Sequence, residues 1–158
     1  MELTLDATLS LDDKLFGLEQ MINDQSTILT SLSKKLTKQR KNAIHLLKIE
    51  LEHLLSKMGM QDTLFKIELI NSDKFLLNGM DQLSFQFSAN KGVDFKSLKK
   101  VASGGELSRI MLAIKTVLSR YKKLPTLIFD EIDSGVSGSV SSYVANLLCE
   151  LSNHRQVF

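Results

Sequence analysis

The sequence predicts an α/β lobe, built as a parallel sheet with flanking helices and a few small antiparallel strands, preceded by a long helical arm. Three observations carry that prediction. Between Leu11 and Met58 apolar residues recur at alternating spacings of four and three, with no proline and Gly17 alone among glycines, which is the seam of a heptad helix. Two later stretches alternate apolar and polar residues with period two. From Ser103 onward the chain runs through a glycine turn, a periodic helix, a proline, a short apolar strand, a second glycine turn and another periodic helix. That order builds a parallel sheet whose ligand sits at the carboxyl ends of the strands.

Met1 to Leu9 fits an extra helical turn, a short strand or an appended extension. The seam then reads Leu11, Leu15, Leu18, Ile22, Leu29, Leu32, Leu36 and Ala43. It slips by one residue at Ala43 and Ile44 and continues through Leu47, Leu51, Leu54 and Met58. Gln25 and Gln39 interrupt it, and Asn23 to Thr27 form helix weakly, so the pattern allows a break there. Two readings fit: a coiled-coil arm, or a pair of amphipathic helices packed on a globular core. Length and heptad spacing favour the arm. Gly59 suits the residue that ends a helix, which divides the chain into an arm over 1–58 and a lobe over 59–158.

In the lobe, Phe65, Ile67 and Leu69 alternate with Lys66 and Glu68 over Leu64 to Ile70, and Leu83, Phe85 and Phe87 alternate with Ser84 and Gln86. Asn78 and Gly79 mark a turn between these strands, so a hairpin is expected, followed by a polar loop from Asn90 to Lys100. The helix after Gly105 places Leu107, Ile110, Met111, Ile114, Val117, Leu118 and Tyr121 on one face, and Lys122, Lys123 and Pro125 close it. Thr126 to Phe129 reads as a strand buried on both faces. Ser134 to Ser139 forms a turn, the next helix buries Val140, Tyr143, Val144, Leu147, Leu148 and Leu151, and Gln156 to Phe158 starts another strand.

The net charge of +2 hides an asymmetry: residues 1–30 carry six acids against Lys14, and residues 31–60 carry seven bases against Glu50 and Glu52. One cysteine, Cys149, excludes an internal disulfide and a cysteine-cluster metal site. There is neither a run of about 18 apolar residues nor the basic start and apolar core of a signal peptide. A cytoplasmic protein with no membrane partner is expected.

The chemistry concentrates in two places. Ser103, Gly104, Gly105 and Glu106 open a helix, where free N–H groups and the positive end of the helix dipole favour a phosphate. Asp130 and Glu131 end the apolar strand, where one carboxylate suits Mg²⁺ and another suits a base for an attacking water. Each has a plain structural alternative, a simple helix cap for Ser103 and a polar strand end for the acids. Their combination in one short span favours the nucleotide reading. Lys34, Lys35, Lys38, Arg40, Lys41 and Lys48 form a basic group that suits either sequence-independent contact with DNA phosphates or, more often for such runs, a solvated helix face.

These residues carry a resemblance. Ala102 to Leu107 resembles the signature motif of ATP-binding-cassette ATPases, Leu127 to Glu131 their Walker B strand, and Ile132 to Gly138 their D-loop. The arm, and the isoleucine and aspartate directly after the Asp-Glu pair, resemble the chromosome-maintenance and double-strand-break repair branch rather than transporters. Val101 to Arg109, Asp130 to Gly138, Phe87 to Gly92, and Leu36, Thr37 and Arg40 in the arm resemble the bacterial RecN family, over about residues 32–158. The implied fold is the C-terminal lobe of an ABC-type P-loop ATPase head. The implied activity is ATP-driven head dimerisation in recombinational repair of DNA double-strand breaks.

By the same resemblance, Asp130 would hold Mg²⁺ and Glu131 would activate water. Ser103, Gly104, Gly105 and Glu106 would meet the ATP bound by a second head, and Asp133, Ser134 and Gly135 would cross the seam of that homodimer. Ser137 departs from the aspartate that many relatives carry in the D-loop. No Gly-x-x-x-x-Gly-Lys-Ser/Thr string is present, and the family's switch histidine would follow Phe158; His45, His53 and His154 do not replace it. The expected setting is the C-terminal part of a larger ATPase, inactive alone and completed by an N-terminal Walker A half, with DNA as a further partner. Two other functions stay open: a non-enzymatic interaction module, and, less favoured because of the arm, a nucleotide-binding subunit of a transporter.

Overall fold

The fold is described from a computed structural model that covers residues 2–98, 103–122, 124–136 and 138–158, with side chains from Leu11 onward. Val101, Ala102, Ser137 and the ends of the loops at Lys100 and Lys123 lie outside the described residues. The element order is α1 (Glu2–Lys57), β1 (Leu64–Leu76), β2 (Gly79–Ser88), β3 (Lys96–Ser97), α2 (Gly104–Ser119), β4 (Thr126–Leu127), α3 (Ser139–Ser152) and β5 (Gln156–Val157).

α1 is one uninterrupted helix of 56 residues, with no break at Asn23 to Thr27. The hydroxyls of Thr27 and Thr30 donate to carbonyls four residues earlier, at Asn23 and Ser26. These bonds occupy the polar side chains that would otherwise compete with the helix backbone. α1 therefore also decides Met1 to Leu9, which is helical from Glu2.

The chain forms two compact units, Met1–Lys41 with Asn71–Gln82, and Asn42–Ile70 with Leu83–Phe158. In the first, the buried Asp81 accepts from the Thr37 hydroxyl at 2.8 Å and from the Arg40 guanidinium at 3.1 Å, while Arg40 also donates to the Asn78 carbonyl at 2.6 Å. Gly79, with φ 114°, lies so close to α1 that a Cβ there would stand 3.1 Å from the Leu36 side chain. Only glycine meets both demands, a left-handed backbone and no side chain. Leu36, Thr37 and Arg40 thus clasp the end of the β1–β2 hairpin.

In the second unit Leu51, Leu55, Met58, Phe65, Ile110 and Leu112 are the largest fully buried side chains. The three-stranded sheet runs β1-β2-β3, with β3 antiparallel to β2. Both hairpin strands are longer than their alternating cores because pairing continues past the residues that have an apolar face to bury. Part of the expected polar loop pairs as β3 through Gln86↔Ser97 and Phe87↔Lys96.

β4 and β5 pair in parallel, Thr126↔Gln156 and Leu127↔Val157, and the ladder is extended by Phe129 N–H to the Phe158 carbonyl and Phe158 N–H to the Leu127 carbonyl. Two expectations need correction. Ile128 is 67% exposed, so the strand is not buried on both faces. On α2 Ile110 and Val117 of the expected face are buried, together with Gly105, Arg109, Leu112, Ala113 and Thr116, while Leu118 and Tyr121 are exposed; the buried face extends to Gly105 and Arg109, which meet the turn after β4. α3 buries Val144, Leu147 and Leu151, with Val140, Tyr143 and Leu148 half-buried.

Candidate functional site

α2 begins with a capped turn. Ser103 has extended backbone, φ −111° and ψ 128°, and its Oγ accepts from the Glu106 N–H at 3.4 Å while its carbonyl accepts from the Leu107 N–H at 3.1 Å. A serine hydroxyl that accepts one bond still has its own proton to donate. Ser103 is therefore a helix cap whose O–H stays available beside the first N–H groups of α2. Glu106 adds an acid in the first turn, where the helix dipole favours it.

Neither Gly104 nor Gly105 has a left-handed backbone, and close approach demands glycine at Gly105. A Cβ at Gly104 would meet only Glu131 Oε2, the far end of an exposed side chain that can swing away. At Gly105 it would stand 2.9 Å from the Ser134 carbonyl oxygen and 3.3 Å from Arg109 Nη1. The glycine turn and the turn after β4 are thus packed against one another with no room for a side chain between them.

That second turn follows the carboxyl end of the β4 strand. Asp130 and Glu131 are both exposed. Glu131 is the one non-glycine residue with positive φ among the described residues, at 54°. A carboxylate residue in the left-handed region is strained and persists where its surroundings hold it. Two bonds do so in series, Ser134 N–H to the Glu131 carbonyl at 3.2 Å and Val136 N–H to the Asp133 carbonyl at 3.3 Å. Gly135, φ 71°, completes the reversal. Asp133 and Ser134 are exposed. Behind this turn Lys115 Nζ donates to the Ile128 carbonyl at 3.0 Å and lies 4.6 Å from the Phe129 ring centre, which tethers the strand end to α2.

The structure therefore brings Ser103, Gly104, Gly105, Glu131 and Ser134 together and leaves Asp130 and Asp133 as exposed carboxylates beside them. Among the described residues no group of three or more acids, histidines or cysteines could hold a metal ion by itself. Asp130 fits Mg²⁺ as one exposed carboxylate donor, with water or phosphate needed to complete the shell.

No family model matches the chain. Among curated relatives it is 37% identical over 161 residues to the DNA repair protein RecN of Halalkalibacterium halodurans, covering 99% of this chain and 28% of that protein. It is 37% identical over 147 residues to RecN of Treponema pallidum and 35% identical over 159 residues to RecN of Bacillus subtilis, covering 89% and 94% of this chain. The chain belongs to the RecN family. It spans about a quarter of the length of these relatives and matches their C-terminal part.

As a RecN-family chain it shares its fold with solved Smc head domains. It is similar to the Smc head domain with an extended coiled coil from Pyrococcus furiosus, TM-score 0.61 at 21% identity over 99% of this chain and 38% of that one. It is also similar to the Smc head with a coiled coil and joint from Pyrococcus yayanosii, TM-score 0.52 at 24% identity over 78% of this chain and 24% of that one. The fold is accordingly that of part of an Smc-type head domain with a helical arm.

Some members of the basic group have other work. Arg40 is held by Asp81 and Asn78, and Lys48 Nζ lies 3.8 Å from Glu52. Lys34, Lys35, Lys38 and Lys41 are exposed, as are His45, His53 and His154. No described helix is long and apolar enough to cross a membrane. Arg109 closes the stretch Val101 to Arg109 singled out in the sequence but received no role there; it is 8% exposed on α2, and its Nη1 donates to the Ser134 carbonyl at 2.8 Å. A charged side chain one turn after Gly105 on a face that otherwise turns inward was its available signal.

Proposed function

We propose that this chain is the signature-motif lobe, residues 59–158, and the root of the coiled-coil arm, residues 1–58, of a RecN-like ATPase that acts in recombinational repair of DNA double-strand breaks. The observation that carries the ATPase reading is the packing of the Ser103 to Gly105 turn against the turn that follows the Asp130–Glu131 pair. A glycine turn opening a helix beside acids at a strand end is the layout that phosphoryl chemistry needs, N–H groups for phosphate oxygens and carboxylates for the metal and the water. The DNA-repair reading rests on the relatives.

In this reading Asp130 holds Mg²⁺, directly or through water, and Glu131 takes the proton of the attacking water. Mg²⁺ when bound neutralises charge on the phosphates of ATP. Ser103 donates its hydroxyl proton, and Gly104 and Gly105 present backbone N–H groups, to ATP held by a second head. Asp133, Ser134 and Gly135 lie at the seam of that homodimer. The phosphate cradle comes from the N-terminal half of the protein, and the chain alone does not turn over ATP. The exposed lysines of the arm offer a sequence-independent surface for DNA phosphates, in a cytoplasmic, nucleoid-associated setting.

The test uses full-length protein. Glu131→Gln keeps a polar side chain of the same size but cannot accept a proton, so ATP binding should persist while turnover falls by about 100-fold or more. Equilibrium nucleotide binding and steady-state hydrolysis measure the two. Wild-type turnover in that variant removes Glu131 from the role of base.

A further inference from the structure

We infer that Arg109 is a positioning residue that locks the signature turn to the turn after the Walker B acids, so that the two act as one body. The inference rests on the function proposed above and adds a residue to it. Three observations converge. Arg109 is buried at 8% exposure on α2, and of its guanidinium Nη1 is bonded whereas Nε is buried without a partner among the described residues, so the Nη1 bond is what offsets its burial. Its Nη1 donates to the Ser134 carbonyl at 2.8 Å, a charge-assisted bond to a backbone atom that no side-chain change at Ser134 can replace. From the other side, Gly105 closes on the same carbonyl so tightly that a Cβ would stand 2.9 Å from it.

The Ser134 carbonyl is therefore gripped between the glycine turn and the guanidinium. Ser134 N–H in turn donates to the Glu131 carbonyl at 3.2 Å, and Glu131 is the residue with strained backbone, φ 54°. The chain of contacts runs from Arg109 to the Ser134 carbonyl, through the Ser134 backbone to its N–H, and on to the Glu131 carbonyl, with one hydrogen bond at each end. Any displacement of the N-terminal turn of α2, the part that meets nucleotide on another head in the proposed reading, is passed to the backbone that aims the Glu131 carboxylate. Arg109 touches no reacting atom; it sets where Glu131 points. The same α2 also reaches the strand end through Lys115 and the Ile128 carbonyl, so removal of Arg109 leaves the helix anchored on β4 while the grip on the turn is lost.

The experiment compares Arg109→Met and Arg109→Lys in full-length protein, with steady-state ATP hydrolysis and a thermal melt for each. Arg109→Met keeps length and apolar stem but has no donor; kcat should fall by about 10-fold, the cost of one charge-assisted bond, with KM for ATP within about twofold because the phosphate cradle is untouched. Arg109→Lys retains one donor for the Ser134 carbonyl and should recover at least about half of the wild-type kcat. Wild-type kcat in Arg109→Met overturns the inference. So does an equal loss in Met and Lys variants, or a loss that follows a melt below the assay temperature, since either reduces Arg109 to packing. Glu131→Gln, run alongside, separates the two readings: if it retains full turnover, the proposed base fails; if it does not, the Arg109 result stands by itself.

Discussion

One helix with one kind of repeat meets two fates in this molecule. Toward the start of α1, Leu11, Leu15, Leu18 and Ile22 are between 56 and 66% exposed, whereas near its end Leu51, Leu55 and Met58 are fully buried. Both stretches have the apolar spacing of a heptad. The difference is what folds around them: the lobe wraps the second stretch with β1, β2 and α2, and in the first unit the residues turned toward the hairpin are Ser33, Leu36, Thr37 and Arg40, a mostly polar set. Heptad spacing specifies that a face will be buried, and the identity of the cover comes from elsewhere.

The strongest way to break this comparison is a pair of truncations. Leu55→Ala should cost about 2–5 kcal/mol, the transfer term plus a cavity in a filled core, while Leu18→Ala on the isolated chain should stay within about 0.5 kcal/mol. Denaturant unfolding of both variants measures it. Equal costs would mean that the early seam is covered in solution, which would sharpen the comparison into one about partners.

A smaller effect should come from the polar clasp. Asp81→Ala leaves the Arg40 guanidinium and the Thr37 hydroxyl without their shared acceptor, at roughly 1–3 kcal/mol. Hydrogen exchange should then rise over residues 71–82 and stay unchanged around Phe65. Protection lost in both places would show that the clasp supports the lobe core as well.

The smallest effect is a pH dependence in the lobe. Burial, and after it the Glu150 carboxylate, raise the Tyr143 phenol above its ordinary 10.0. The folded chain then keeps a proton that the unfolded chain releases, so this contribution to stability is complete below about pH 10 and declines as pH rises through the higher folded value. Melting temperatures taken from about pH 9 to about pH 11 should fall less steeply in Tyr143→Phe than in wild type. Identical slopes would assign the decline to other groups.

Much of the fold was legible because its signals are local. Period two announced β1 and β2, the glycine turns and Pro125 bracketed α2 and β4, and the helix–strand–helix–strand order implied the parallel β4–β5 pair. Where the expected pattern gave way, a tertiary contact outweighed a local preference. On α2 Gly105 and Arg109 turn inward, whereas Leu118 and Tyr121 are exposed. Within the site, the residue types at Ser103 to Glu106 and at Asp130 to Gly135 were readable from spacing. The grip of Arg109 on Ser134 was not, because it depends on two turns 25 residues apart meeting at one carbonyl.

By itself the sequence determined the elements, their order and the chemical groups available at the glycine turn and the strand end, since helix periodicity, strand alternation and capping act over a few residues. Only the tertiary structure decided which leucines of α1 are covered, that Arg40 closes on Asp81, and that Gly105 is needed for contact rather than for backbone freedom. Those outcomes rest on close packing between segments far apart in the chain, where a difference of one methyl group or one hydrogen bond selects the arrangement.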